Sequence, residues 1–169
     1  MNRELTRIKD ELEAGRPVIS FTSGVSMEPL LHDKRKRNAT HVLILPVRGI
    51  CKTGDMPLVF MNDGRYILHR IVRVDEKDGK IFYQTRGDNC IGSEYVSQES
   101  VLGVVSEIYY KNKTVKVTDK NYNQYVKIWM NTYPLRKIWM RGKGFIFRRL
   151  RLLKNIFIKP KEKKEDEER

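Results

Sequence analysis

Apolar positions change period twice along the chain. Leu5, Ile8 and Leu12 recur at helical spacing, and Ala14-Gly15 followed by Arg16-Pro17 closes the pattern, so residues 3–14 are expected to form a short amphipathic helix. Short runs rich in β-branched and aromatic residues follow: 18–22, 41–47, 57–61, 65–74, 80–86, 101–110 and 114–118. Turn signals separate them, among them Thr53-Gly54-Asp55, Asn62-Asp63-Gly64 and Lys77-Asp78-Gly79. Asp-Gly between two strand-like runs is a hairpin signal, because both residues tolerate the left-handed backbone of a tight turn. The body therefore reads as mainly β, with about seven short strands.

From residue 122 the helical period returns. Tyr122, Tyr125, Val126, Trp129 and Tyr133 share one face, and Pro134 interrupts it. A second helical pattern, Ile146, Leu150, Leu153 and Phe157, follows Gly142 and Gly144 and stops at Pro160. The expected organisation is an N-terminal helix (1–16), a β-rich domain (17–119), a basic amphipathic helical segment (120–160) and a charged, disordered tail (161–169).

Charge sharpens that division. The 169 residues carry a formal net charge of +13. Residues 1–119 hold 19 basic and 16 acidic side chains, whereas residues 120–161 hold 12 basic ones and no carboxylate. The argument for a polyanionic partner thus concerns the basic segment alone. Its interleaved aromatic and cationic residues suit a helix lying in an anionic headgroup region. The alternatives are a helix packed on the β body with the rest solvated, and single-stranded nucleic acid; the second ranks below the membrane because no nucleic-acid motif accompanies the charge. No run approaches the roughly 20 apolar residues of a spanning helix, and the charged N-terminus does not suit a secretory signal. A peripheral membrane location follows, on the cytoplasmic side by default, with the extracytoplasmic face left open. The two cysteines, Cys51 and Cys90, fit neither a disulfide framework nor zinc spacing.

The chemistry concentrates in Ser23-Gly24-Val25-Ser26-Met27-Glu28-Pro29, where a strand gives way to a constrained turn carrying a hydroxyl. A serine needs a base within hydrogen-bond reach to become a nucleophile. Of His32, His41 and His69, the last sits in an alternating run, Tyr66 to Val72, on the face shared with Ile67 and Ile71. A neutral imidazole is expected there. Thr85-Arg86-Gly87-Asp88-Asn89 then offers a carboxylate at a strand-to-turn junction, able to orient a histidine. Singly, each of these is more often a plain turn or a core residue; in this order they reinforce one another.

Together with Lys52-Thr53-Gly54-Asp55 and Leu68-His69-Arg70-Ile71, these segments resemble the boxes of the signal peptidase I and LexA-like serine peptidases over roughly residues 17–107. The similarity is nearest to small bacterial members without an evident membrane anchor that use a Ser-His pair. It implies a mainly β, LexA/signal-peptidase-like catalytic domain, hydrolysis of peptide or precursor-protein substrates with small residues near the cut, and neither metal nor organic cofactor. It also implies Ser26 as nucleophile and His69 as general base. An oxyanion hole would be built from the Ser26 N–H, resting on backbone donors of the Ser23-Gly24 turn or on Ser23 itself. Gly24 stands where some members place a helper serine. Asp88 matches the Gly-Asp-Asn box and is the favoured partner of His69, with Glu94 the alternative acid; Asp55 is expected only to close a turn. A different reading is a LexA-like regulator that cleaves itself, for instance at Ala14-Gly15, or that acts as a non-catalytic adaptor.

Overall fold

A computed structural model describes residues 3–142, with side chains from residue 7 onward. The second helical pattern through Phe157 and the tail at 161–169 lie outside the described residues. The chain divides into two units, residues 1–131 and 132–169.

The first unit opens with α1 (Arg3–Glu13). Its end is a Schellman motif: the Gly15 N–H bonds the Leu12 carbonyl, the Arg16 N–H bonds that of Glu11, and Gly15 takes φ +78°. Nine strands follow among the described residues: β1 (Val18–Phe21), β2 (His41–Pro46), β3 (Pro57–Phe60), β4 (Tyr66–Leu68), β5 (Arg70–Lys77), β6 (Lys80–Arg86), β7 (Glu94–Ser97), β8 (Val101–Tyr110) and β9 (Lys113–Lys116). Helix α2 (Lys120–Asn131) closes the unit. The fold is mainly β, as the apolar pattern implied.

Two antiparallel sheets form. The larger has the order β1-β2-β8-β3-β4, so β1 and β4 are its two ends. Long strand β8 pairs β2 along one edge and divides the other between β3 at Val101–Val104 and β9 at Glu107–Tyr110. The smaller sheet is β5-β6-β7. Its first hairpin turns at Asp78 (φ +52°) and Gly79 (φ +71°), the left-handed pair that the Asp-Gly signal required.

The expected strand 65–74 is in fact two. The chain leaves the large sheet at Leu68 and enters the small one at Arg70, so His69 occupies the corner between sheets. The simple alternation expected there fails for that reason: His69, Arg70 and Ile71 are all buried. Strand β7 was not anticipated at all.

One apolar core joins both helices to the large sheet. Ile8 and Leu12 of α1 and Tyr122 and Val126 of α2 pack with Val42, Ile44, Met56, Leu58, Val105 and Ile108. Neither helix is an appendage: each buries apolar surface that would otherwise face water. A second cluster, with Val59, Ile71, Tyr83 and Val101, lies between the sheets.

In the second unit, residues 133–142 are helical. Leu135 and Ile138 are 70% exposed and Trp139 is 60% exposed. At 100° per residue these three share a face, with Arg136, Lys137 and Arg141 around it. Among the described residues no helix is long and apolar enough to cross a membrane.

Candidate functional site

Strand β1 runs directly into the serine loop. Thr22 anchors the start: its N–H bonds the Thr40 carbonyl and its hydroxyl donates to the His32 carbonyl at 2.7 Å. Gly24 then takes φ +88°, a conformation that favours glycine, and its N–H donates to the Asp33 carboxylate. Asp33 is buried and also accepts from the Arg35 backbone N–H and guanidinium. The Arg35 side chain, then the N–H groups of Arg35 and Gly24, hold its carboxyl well below the ordinary aspartate range.

A second segment braces the loop from across the chain. The Asn89 N–H donates to the Ser26 carbonyl at 2.7 Å, and the Asn89 side-chain amide donates to the Val25 carbonyl at 3.2 Å. The Asp88 N–H points to the Met27 sulfur at 3.5 Å. A Cβ on Gly87 would lie 2.7 Å from the Ser26 carbonyl oxygen, so only glycine lets the two backbones approach this closely. The Gly87-Asp88-Asn89 turn thus holds the Ser26 loop in place.

Ser26, His69 and Glu94 line one cavity of about 320 Å³, together with Ser23 and Gly24. His69 arrives from the corner after β4. Its Nδ1 lies 3.0 Å from Glu94 Oε2, at the first residue of β7. An ionised carboxylate only accepts, so Nδ1 donates this bond, and in a neutral imidazole so held Nε2 keeps the lone pair that a general base requires. No direct hydrogen bond joins Ser26 to His69 among the described residues; such contacts commonly tighten only with substrate in place.

Asp88 is placed elsewhere. Its two oxygens accept from Arg70 Nε at 2.9 Å and Nη2 at 2.7 Å, a bidentate pair almost wholly removed from solvent. Arg70 Nη1 bonds the Gly54 carbonyl at 2.9 Å and the Tyr122 hydroxyl at 3.1 Å. Burial disfavours the guanidinium's charge, but the hydrogen bonds and charge of Asp88 outweigh it and the Arg70 pKa is raised. The favoured assignment of Asp88 to His69 is corrected accordingly: Asp88 neutralises its neighbour, Arg70, and Glu94 serves the histidine. Sequence reasoning missed Arg70 as a structural charge, although a buried arginine beside a candidate base needs a carboxylate.

The remaining candidates fall into place. Gly24's N–H, bound to Asp33, is committed, so of the backbone donors considered the Ser26 N–H remains for an oxyanion. Asp55 accepts the Lys52 N–H and closes that turn. His41 packs its ring at a tilt against Phe21, and His32 sits in the Thr40 hydrogen-bond network. Burial, then the charge of Asp55, pushes the Cys51 thiol up to about 11, and burial raises that of Cys90. Among the described residues no cluster of three His, Cys, Asp or Glu is arranged to hold a metal. Comparison with protein-family models, curated proteins and solved structures finds no match for the chain.

Proposed function

We propose that the protein is a serine endopeptidase of the signal peptidase and LexA-like kind, with Ser26 as nucleophile, His69 as general base and Glu94 as the acid that orients it. The observation that carries this reading is the convergence of the three side chains on one cavity, with Glu94 bonded to Nδ1 and Nε2 left for the serine. The cavity also suits an extended peptide. It is bordered by Ser20 and Phe21 of β1 and by Tyr66–Leu68 of β4, the two end strands of the large sheet. End strands carry backbone groups able to pair with an added strand. Because β1 leads to Ser26 and β4 to His69, a peptide lying between them passes its carbonyls across the reacting pair.

The steps follow from the groups present. Ser26 Oγ attacks the scissile carbonyl carbon while His69 Nε2 takes the hydroxyl proton. The Ser26 N–H supports the developing oxyanion. Collapse breaks the C–N bond, and the imidazolium returns its proton to the leaving amine. Water then repeats the sequence on the acyl-enzyme and releases the acid.

We extend the reading to an anionic membrane surface, met by the helical residues 133–142 rather than by the whole expected segment 120–160, because α2 turns Tyr122 and Val126 into the core. Support comes from the exposed Leu135, Ile138 and Trp139 beside Arg136, Lys137 and Arg141. Each cation near such a surface contributes about 1 kcal/mol.

The test is labelling by a fluorophosphonate probe together with peptide hydrolysis, on wild type, Ser26→Ala and His69→Ala. Loss of both signals in both variants is expected. Unchanged labelling in folded Ser26→Ala overturns the assignment.

A further inference from the structure

His69 lies in a gap between two ladders. The β3–β4 pairing ends at Leu58 with Leu68, and the β5–β6 pairing begins at Arg70 with Arg86, so neither ladder includes the histidine. The turn Lys52–Asp55 holds this corner instead. The Gly54 N–H donates to the Ile71 carbonyl at 2.9 Å, and the Ile71 N–H donates to the Asp55 carbonyl at 2.8 Å. Arg70 Nη1 donates to the Gly54 carbonyl at 2.9 Å. Just past the turn, the Val105 N–H of β8 donates to the Met56 carbonyl at 3.0 Å. Residues 52–56 thus tie the large sheet to the two residues that follow His69. One carboxylate closes the turn: Asp55 Oδ2 accepts the Lys52 N–H at 2.9 Å, while the Asp55 N–H donates to the Lys52 carbonyl at 3.1 Å. Packing does little to replace that closure. Between the turn and Tyr122, Asn123 and Val126 of α2 lies a cavity of about 310 Å³, room into which an unclosed turn can move.

We propose that Asp55 is a positioning residue for His69: by closing the turn that grips Arg70 and Ile71, it fixes the corner from which the imidazole reaches the Ser26 cavity. The inference rests on the serine peptidase reading. Asp55 does not line that cavity, so its effect passes through the backbone alone. A shift of about 1 Å in a reacting group can cost on the order of 100-fold in rate. Asp55→Ala should therefore lower kcat by about 10–100-fold. The strands that border the cavity at Ser20–Phe21 and Tyr66–Leu68 make no hydrogen bond to this turn among the described residues. KM should accordingly stay within about twofold, the mark of an interaction that serves the reacting groups rather than binding.

The experiment combines peptide-hydrolysis kinetics with nitrogen NMR of the full chain carrying labelled histidine, the His69 signal being the one lost in His69→Ala. Wild type, Asp55→Ala, Asp55→Asn and Asp119→Ala are compared. The asparagine keeps an oxygen for the Lys52 N–H without the charge, so it should restore kcat to near the wild-type value. Asp119 closes a matching turn, accepting the Lys116 N–H at 3.0 Å, that makes no hydrogen bond to residues 69–71 among the described residues. Its alanine variant should leave both kcat and the His69 signal unchanged, whereas Asp55→Ala should shift or broaden that signal. Should Asp55→Ala fail to fold, Gly54→Ala carries the test. A methyl there, at φ +99° and 3.3 Å from Val126, displaces the turn with its carboxylate intact, and the same loss of kcat is expected. An unchanged kcat in folded Asp55→Ala or Gly54→Ala overturns this inference and leaves the peptidase reading standing. So does an Asp55→Asn as slow as Asp55→Ala, or an Asp119→Ala equally impaired. Absence of both Ser26-dependent hydrolysis and probe labelling in the wild type overturns the two together.

Discussion

Removing Asp88 and removing Glu94 should have opposite signatures. Asp88→Ala deletes the carboxylate that holds Arg70 through two bonds, at 2.9 and 2.7 Å, where the two side chains are 1% and 3% exposed. The guanidinium keeps Gly54 and Tyr122 as hydrogen-bond partners but loses its counter-charge. Breaking a buried pair in this one-sided way costs about 3–5 kcal/mol. Domains of this size have about 5–15 kcal/mol in total, so the loss is a large fraction. Replacing both partners, Arg70→Met with Asp88→Leu, removes the stranded charge and should restore most of that stability. Glu94→Gln behaves differently. Its carboxylate is 38% exposed, and a pair open to solvent contributes at most about 1 kcal/mol. An amide can, however, turn its NH₂ toward Nδ1 and force the proton onto Nε2, which disables the base; the rate penalty for a wrong tautomer reaches about 10⁴. Urea unfolding followed by tryptophan fluorescence measures the first effect, and peptide hydrolysis by the folded fraction measures the second. A stable but inactive Asp88→Ala beside a fully active Glu94→Gln would refute the division of roles.

Gly87→Ala should reduce activity and cost about 1–3 kcal/mol, since the new methyl must displace the Ser26 backbone; circular dichroism melts and hydrolysis rates check it. Cys51 should resist iodoacetamide at pH 8 in the folded protein and react on unfolding, because burial and Asp55 keep it a thiol to about pH 11. The sign of its linkage follows: the raised folded pKa contributes stability below the unfolded value of about 8.5, and that contribution is lost as pH rises toward 11. Cys51→Ala should therefore flatten the alkaline fall in urea midpoint. Co-sedimentation with vesicles of anionic lipid should be strong at low salt and fall as salt rises, and replacing Leu135, Ile138 and Trp139 by serine should abolish it. Equal binding to neutral vesicles would refute the electrostatic component.

Strand and helix placement was legible because one-faced burial writes its period into the sequence: α1 ends at its Gly15 signal and β6 begins after Asp78-Gly79. Strand β7 was not, for four residues with a single buried one, Val96, carry little pattern of their own and are defined by pairing with β6. The corner at His69 escaped for a related reason, since alternation alone does not show where a chain changes sheets. Residue chemistry and order singled out Ser26 and His69, which line one cavity. The accompanying acid could not be chosen in that way, because Asp88 and Glu94 lie six positions apart and only tertiary structure assigns one to Arg70 and the other to His69.

The reach of Arg70 to Tyr122 has a consequence for how the chain is divided. An arginine one residue from His69 is held in part by a hydroxyl contributed from α2, 52 positions later. A chain stopped after β9 would lose that hydroxyl, uncover the guanidinium, and open the apolar surface now closed by Tyr122 and Val126. Residues up to Val126 of α2 are therefore part of what completes the β unit, and synthesis must pass them before Arg70 has all its partners.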